Sequence, residues 1–204
     1  MSDVSTRAKR SGVDKFALRR RELADAALTA VAERGFANTG LRDVAAHTEL
    51  SLGLLHYYFE DKDDLIGQAI WQYKSECARR YDPIVETSQT SAELVERFGV
   101  EITATLRDEA DMHRLWYDLR NQALFDTGFR ETIIAIDELL VDMVWSVLTR
   151  YAALEGRPPT VDARSAYALF DGIFLNALIA YLRGDIDAID RLRVASIRLL
   201  TDSA

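Results

Sequence analysis

The sequence predicts an all-α protein, with a three-helix unit near the N-terminus followed by a larger helical bundle. Apolar residues recur every three or four positions nearly throughout, and convincing strand alternation is absent. Only 3 prolines and 10 glycines occur in 204 residues, so long helices run without breakers. The apolar fraction of 49% with 28% charged residues is that of a chain that folds around a core.

The first helix is read over about residues 15–34, from the stripe Leu23, Ala26, Ala27, Ala30 and Val31. Gly35 is placed to end it in a left-handed cap, with Phe36 closing over the last turn. Thr39 is read as the cap of a second helix whose inner stripe is Leu41, Val44, Ala45 and Thr48. A third, short helix over about 51–58 starts near Ser51 and turns Leu55 and Phe59 inward. Asp61 or Asp63 opens a longer helix to about Arg80, and Pro83 marks the break after it. Further helices are read at 91–109, 111–126, 128–154, 162–183 and 186–201, punctuated by Gly128, Gly156 with Pro158 and Pro159, and Gly184. The expected organisation is a disordered basic arm over 1–14, a DNA-reader-sized unit over 15–62 and a large domain over 63–204.

The formal net charge of −8 argues at first against a nucleic-acid partner, but its distribution matters more than its sum. Residues 1–21 carry Arg7, Lys9, Arg10, Lys15, Arg19, Arg20 and Arg21 against Asp3 and Asp14 alone, so a basic beginning precedes an acidic body. Such an end can meet phosphate while the rest stays clear of it. No uninterrupted apolar stretch approaches the roughly 20 residues of a membrane span. The charged N-terminus has no apolar core behind it, so it does not read as a signal peptide. A cytoplasmic location is expected. One cysteine, Cys77, leaves no internal disulfide framework.

The stretch TGLRDVAAHTELSLGLLHYYFEDKDDL, from Thr39 to Leu65, carries the most information. A capped helix, a tight turn at Glu49-Leu50 and a second helix from Ser51 form the geometry that presents a recognition helix, N-terminus first, to the major groove. The second helix exposes Leu52, Gly53, Leu54, His56, Tyr57 and Tyr58 around inward Leu55 and Phe59. Tyr and His side chains suit phosphates, Gly53 lets backbone approach the duplex, and Leu52 or Leu54 can press on thymine methyl groups. Lys62 joins its charge to helix N-terminal amides. Tyr57 is read equally well as core, and His47 as a surface residue.

In order and spacing, Gly35-Phe36, Thr39, the run Arg42-Asp43-Val44-Ala45, Ser51-x-Gly-x-Leu-His-Tyr-Tyr-Phe59 and Lys62-x-x-Leu65 resemble the signature of the TetR family of transcriptional regulators. The His-Tyr-Tyr-Phe version is similar to the branch that includes betaine-responsive repressors. The resemblance covers about residues 17–66. It implies contacts to base or phosphate by Arg42, Ser51, Leu52, Gly53, Leu54, His56, Tyr57, Tyr58 and Lys62, with Thr39 facing a phosphate. Two positions depart from the pattern: Glu49 stands where a turn glycine is usual, and Leu52 and Leu54 replace more usual polar residues.

The larger domain reads as a binding site, not an active site. Trp116, Tyr117, Phe125, Trp145, Phe170 and Phe174 fall on successive helices, with Arg120, Asn121, Asp171 and Asn176 among them. Aromatic walls with a few polar groups are what a small-molecule pocket between helices requires. Trp116, Arg120, Asn121, Trp145, Phe170 and Phe174 are therefore the candidate effector contacts, although any single aromatic at such spacing can simply be core. Residues 162–183 and 186–201 are apolar on more than one side, so each has a face for its own domain and one for a partner. The resemblance implies a homodimer made by this pair of helices, with Tyr167, Leu178, Tyr181, Leu192 and Ile197 as candidate interface residues. Two readers about 34 Å apart would then select a near-palindromic operator, released when a small molecule binds.

An enzyme is disfavoured. His47, His56 and His113 are the only imidazoles, and no His/Cys cluster at metal spacing, phosphate loop or serine elbow is read, so neither cofactor nor metal is expected. The alternative that keeps the DNA unit makes the large domain a protein-binding or purely dimerising module, or the whole protein an activator.

Overall fold

In a computed structural model the chain is described over residues 3–35, 39–48, 50–128 and 130–204, and the side chains of 3–14, 33 and 34 lie outside that description. Among the described residues the secondary structure is helical: α1 (Asp3–Arg34), α2 (Leu41–Thr48), α3 (Leu52–Tyr58), α4 (Lys62–Arg79), α5 (Asp82–Thr87), α6 (Ser91–Gln122), α7 (Arg130–Glu155), α8 (Ala163–Leu182) and α9 (Ala188–Asp202). Helical backbone thus begins at Asp3, where the sequence predicts a disordered arm. No proline interrupts residues 3–34, so nothing in that run forces the helix to stop. The arm's Arg7, Lys9 and Arg10 side chains, Phe36 as a closing residue and the turn residue Glu49 all lie outside the described set.

The helix ends follow local chemistry. Gly35 closes α1 at φ +80°, its N–H donating to the Val31 carbonyl at 2.8 Å, in the left-handed cap read from the sequence. The start of α2 falls one residue later than expected. The Gly40 carbonyl accepts from the Asp43 and Val44 amides, while the Asp43 carboxylate accepts from the Gly40 N–H at 2.8 Å. Ser51 caps α3, its hydroxyl accepting from the Leu54 amide at 3.1 Å. Asp61, one of the two candidates, opens α4 by accepting from the Asp64 amide at 2.9 Å. Pro83 does more than end a helix: it sits in the first turn of α5, where its missing N–H costs nothing. The two helices read at 91–109 and 111–126 are found within the run labelled α6, meeting at a kink where Glu109 leaves helical geometry (φ −132°, ψ 24°).

The chain forms two compact units, residues 1–73 with 115–133 and residues 74–114 with 134–204. The sequence alone places its boundary at 62/63 instead. The first unit packs α1, α2 and α3 against one another, with Leu23, Ala27, Val31, Val44, Leu55 and Phe59 inside. Ala26, read as part of the inner stripe, faces outward, and Ala24 and Leu28 take its place. Residues 115–133 belong here through pairs that no local pattern reveals. A Cβ on Gly35 would stand 3.6 Å from Asp118, and one on Gly67 would stand 3.5 Å from Thr132. Gln72 ties α4 to α1, donating to the Arg21 carbonyl (3.2 Å) and the Asp25 carboxylate (2.7 Å).

In the second unit α8 and α9 pack together. Ala166, Phe170, Phe174 and Leu178 on α8, and Ala188, Leu192, Ser196 and Leu200 on α9, are buried at four-residue spacing. Tyr81, Phe98 and Phe170 form a chain of rings, with centroids 5.9 and 5.7 Å apart. Among the described residues α8 is the one helix long and apolar enough to cross a membrane by length and composition. Arg164 and Asp171 interrupt it, which is why a search for uninterrupted apolar stretches passes it over.

Candidate nucleic-acid interface

The first unit holds α3 by one side only. Leu55 is 0% and Phe59 2% exposed, while Gly53, His56 and Tyr57 face outward and Tyr57 is 70% exposed. This settles Tyr57 as a surface residue. Leu52, Leu54 and Tyr58 are half-buried on its flanks, and the capping residue Ser51 is exposed. The Ser51 hydroxyl and the α3 N-terminus therefore occupy the leading end of a rod whose outer side is open. Tyr57 and Tyr58 lie 4.9 Å apart edge to face, and Phe16 of α1 packs on them at 6.0 and 4.7 Å. Phe16 is absent from the sequence-derived site. The signal that finds it is an aromatic set inside a basic helical run, between Lys15 and Arg19-Arg20-Arg21.

Cations flank this surface. Arg42 is exposed on α2, and Lys62 is half-buried in the first turn of α4. Arg20 serves the fold instead: its guanidinium is ion-paired with Asp64 and stands 5.0 Å over the Phe59 ring. Arg19 pairs with Glu22 at 2.7 Å on the surface. Thr39 departs from its expected role. It is 2% exposed and its hydroxyl donates to the Gly35 carbonyl at 2.8 Å, so it braces the α1–α2 corner and does not face a phosphate. The cause is the one-residue shift of the α2 cap to Gly40.

Gly53 separates a structural demand from a functional one. A Cβ there would meet nothing within 4 Å, so the free protein has no steric need for glycine. Gly53→Ala should stabilise α3 by about 0.5–1 kcal/mol, raising the melting temperature slightly, while weakening DNA binding because the methyl group stands between backbone and duplex. Calorimetry and a binding titration on the same preparation check both signs.

The candidate effector residues divide between the two units. In the first, Trp116 is buried, with Arg120 over its ring at 5.5 Å and over Tyr117 at 5.8 Å, while Asn121 is exposed at the end of α6. In the second, Phe170 packs on Phe98, Phe174 packs on His113 at 4.7 Å, and Trp145 is half-buried on α7. Phe125 is exposed.

A polar group within the second unit escaped the sequence reading, which found no His/Cys cluster. Ligand-type atoms of Cys77, Glu109 and His113 all lie within 4.8 Å of one another. Glu109 is held from two sides, accepting from Arg80 at 2.6 Å through Oε1 and from the Cys77 thiol at 3.7 Å through Oε2. Burial, followed by the positive charges of Lys74 and Arg80, holds the His113 imidazole well below its ordinary pKa. Burial and the Glu101 charge push the Tyr81 phenol upward, and burial raises the Glu101 carboxyl.

The outward side of α8 and α9 also differs from the residues first named for it. Leu178 and Leu192 are buried in their own unit. Tyr167 is half-buried and donates to Asp137 at 2.7 Å, Tyr181 is half-buried, and Ile197 stands 3.0 Å from where a Gly99 Cβ would lie. The exposed apolar residues are Leu169, Ile179 and Leu182 on α8 and Val194 on α9. A helix apolar on several sides gives no phase in its sequence, so the four-residue series could be assigned to either face.

Comparison with known proteins adds a family. Residues 23–69 match the model for bacterial regulatory proteins of the tetR family. The HTH-type transcriptional regulator PksA of Bacillus subtilis is 25% identical over 179 residues, 85% of each chain. The HTH-type transcriptional regulator BetI of Paraburkholderia xenovorans is 33% identical over 96 residues, 43% of this chain and 48% of that one, thin support for the betaine-responsive branch. A TetR transcription regulator from Haloarcula marismortui superposes with a TM-score of 0.73 at 19% identity, covering 92% and 98% of the two chains. FadR of Bacillus subtilis in complex with stearoyl-CoA superposes at 0.68 (18% identity; 87% and 95%), and the multidrug binding protein EbrR complexed with proflavin at 0.56 (22%; 88% and 99%). The structural likenesses are likenesses of fold, and the matched motif runs from the last third of α1 through α2 and α3 into α4. With that motif folded around an outward-facing α3, residues 23–69 carry the DNA-binding motif of bacterial tetR-family regulators, and most of the chain is similar to a transcriptional regulator.

Proposed function

We propose that the protein is a homodimeric repressor that binds a near-palindromic operator through α3 and is released when a small molecule occupies its larger domain. One observation carries this reading: α3 is capped by Ser51 and fixed by Leu55 and Phe59, yet leaves Gly53, His56 and Tyr57 free to meet a duplex. Ser51, His56, Tyr57, Tyr58, Arg42 and Lys62 contact phosphate or sugar. Leu52 and Leu54 lie against bases, and the backbone at Gly53 closes on the groove.

Dimerisation uses the outward apolar side of α8 and α9, Leu169, Ile179, Leu182 and Val194, which a solitary subunit leaves in water. Two copies of α3 then address successive major grooves about 34 Å apart. Effector control is supported by the ligands named for FadR and EbrR, stearoyl-CoA and proflavin. Two such different molecules on one fold mean that each chain's own side chains choose the effector. Trp145, Phe170 and Phe174 of the second unit, among the candidates read from the sequence, are the proposed lining, with Trp145 half-buried and the most open of the three. A cytoplasmic location and the absence of enzymatic activity go with a regulator of this kind, as the names of the matched relatives support.

Selection of bound duplexes from a random pool tests the reading. The expected product is an inverted repeat with half-site centres 10–10.5 base pairs apart or a multiple of it. A lone half-site would remove the dimer, and no enriched sequence at moderate salt would remove the operator.

A further inference from the structure

We propose that Cys77, Glu109 and His113 form a binding site for a divalent transition ion of the zinc type. The three residues come from the last turn of α4 and from two positions flanking one turn of α6, and they bring a thiol, a carboxylate and an imidazole within 4.8 Å of one another. These are the donor types that zinc takes in proteins. The spacing is close to that of a loaded site. Two ligands held by one ion at tetrahedral angles stand about 3.5 Å apart, given metal–ligand bonds of about 2.0–2.3 Å. The Cys77 Sγ and Glu109 Oε2 are already at 3.7 Å.

Two further features fit coordination. Cys77 and His113 are buried and Glu109 half-buried, so the ion would be shielded from competing solvent ligands. Glu109 also has an outer partner. Arg80 takes Oε1 at 2.6 Å and leaves Oε2 turned to the thiol, the arrangement in which a second group orients a metal-ligating carboxylate. The backbone at Glu109 leaves helical geometry at this very residue (φ −132°, ψ 24°). Glu109 and His113 are therefore not presented as an ordinary i, i+4 pair on a straight helix, and the departure from helix coincides with the donor group. When the ion binds, the Cys77 thiol loses its proton to solvent. The thiolate then gives the ion one full negative charge, and the carboxylate, shared with Arg80, offsets part of the second. Softness of the sulfur and imidazole donors favours zinc, cobalt or nickel over magnesium or calcium, which prefer all-oxygen shells.

Cobalt(II) is the probe, because its thiolate complexes absorb where the protein and the aquo ion do not. Reduced, chelator-treated full-length protein should take up one equivalent per chain with growth of a sulfur-to-cobalt charge-transfer band, and zinc should displace the cobalt and bleach the band. Zinc should also raise the melting temperature of the wild type. Cys77→Ser should abolish the band, and His113→Gln or Glu109→Gln should weaken binding by about 10-fold or more, with circular dichroism verifying that each variant is folded. Absence of the band in wild type, an unchanged melting temperature with zinc, or wild-type cobalt affinity in Cys77→Ser would each overturn the site. The two wild-type measurements stand even if every variant misfolds.

Discussion

Tyr57→Ala is expected to lower operator affinity by about 1–3 kcal/mol, a factor of roughly 5 to 150, while leaving the free protein's melting temperature almost unmoved. The ring is 70% exposed and meets Tyr58 and Phe16 at its edges, so its removal opens no cavity. Surface changes of that kind usually alter stability by no more than about 0.5 kcal/mol. The same change at Tyr58 is less clean, because that ring is half-buried and stacks on Phe16 at 4.7 Å, so it should lower both binding and melting. Fluorescence anisotropy on the selected operator, paired with thermal melts of both variants, reads the difference. Tyr57→Ala protein that binds like wild type would mean that the outer side of α3 is not the reading face.

Trp116→Ala should have the largest effect on stability, about 3–5 kcal/mol, seen as a melting point lower by roughly 10 °C. Trp116 is 1% exposed, among the largest side chains so completely enclosed, and Arg120 lies over its ring. This weighs the two readings of an aromatic at helical spacing. Deep enclosure with a side-chain partner already in place makes Trp116 a core residue first, and any contact with an effector secondary. A drop of only a degree or two would show that its surroundings are loosely packed and available to a ligand.

What could be read from the sequence was what is local. The α3 cap at Ser51, the inward Leu55 and Phe59 four residues apart and the left-handed Gly35 all depend on neighbours within one or two turns, and all are found in the structure. Thr39 failed by a single residue, because Asp43 caps Gly40 and frees Thr39 to brace the corner behind it. Pro83 shows the same limit, since a proline that stops one helix is equally suited to the first turn of the next. Longer-range features gave no signal. Cys77 and Glu109 are 32 positions apart, and residues 115–133 join the first unit through contacts no periodicity encodes. On α8 apolar residues fall on all sides, so spacing alone could not tell Leu178, turned inward, from Leu169 and Ile179, turned out.

That outward strip on α8 and α9 has a consequence for the amount of protein a cell must keep. If Leu169, Ile179, Leu182 and Val194 find cover only in a second copy, pairing depends on concentration. A regulator synthesised too sparingly would then be lost twice over, as weakened grip on its target and as greasy single chains prone to clumping or degradation. Expression level and control of transcription would be tied together by four apolar side chains outside the reading helix.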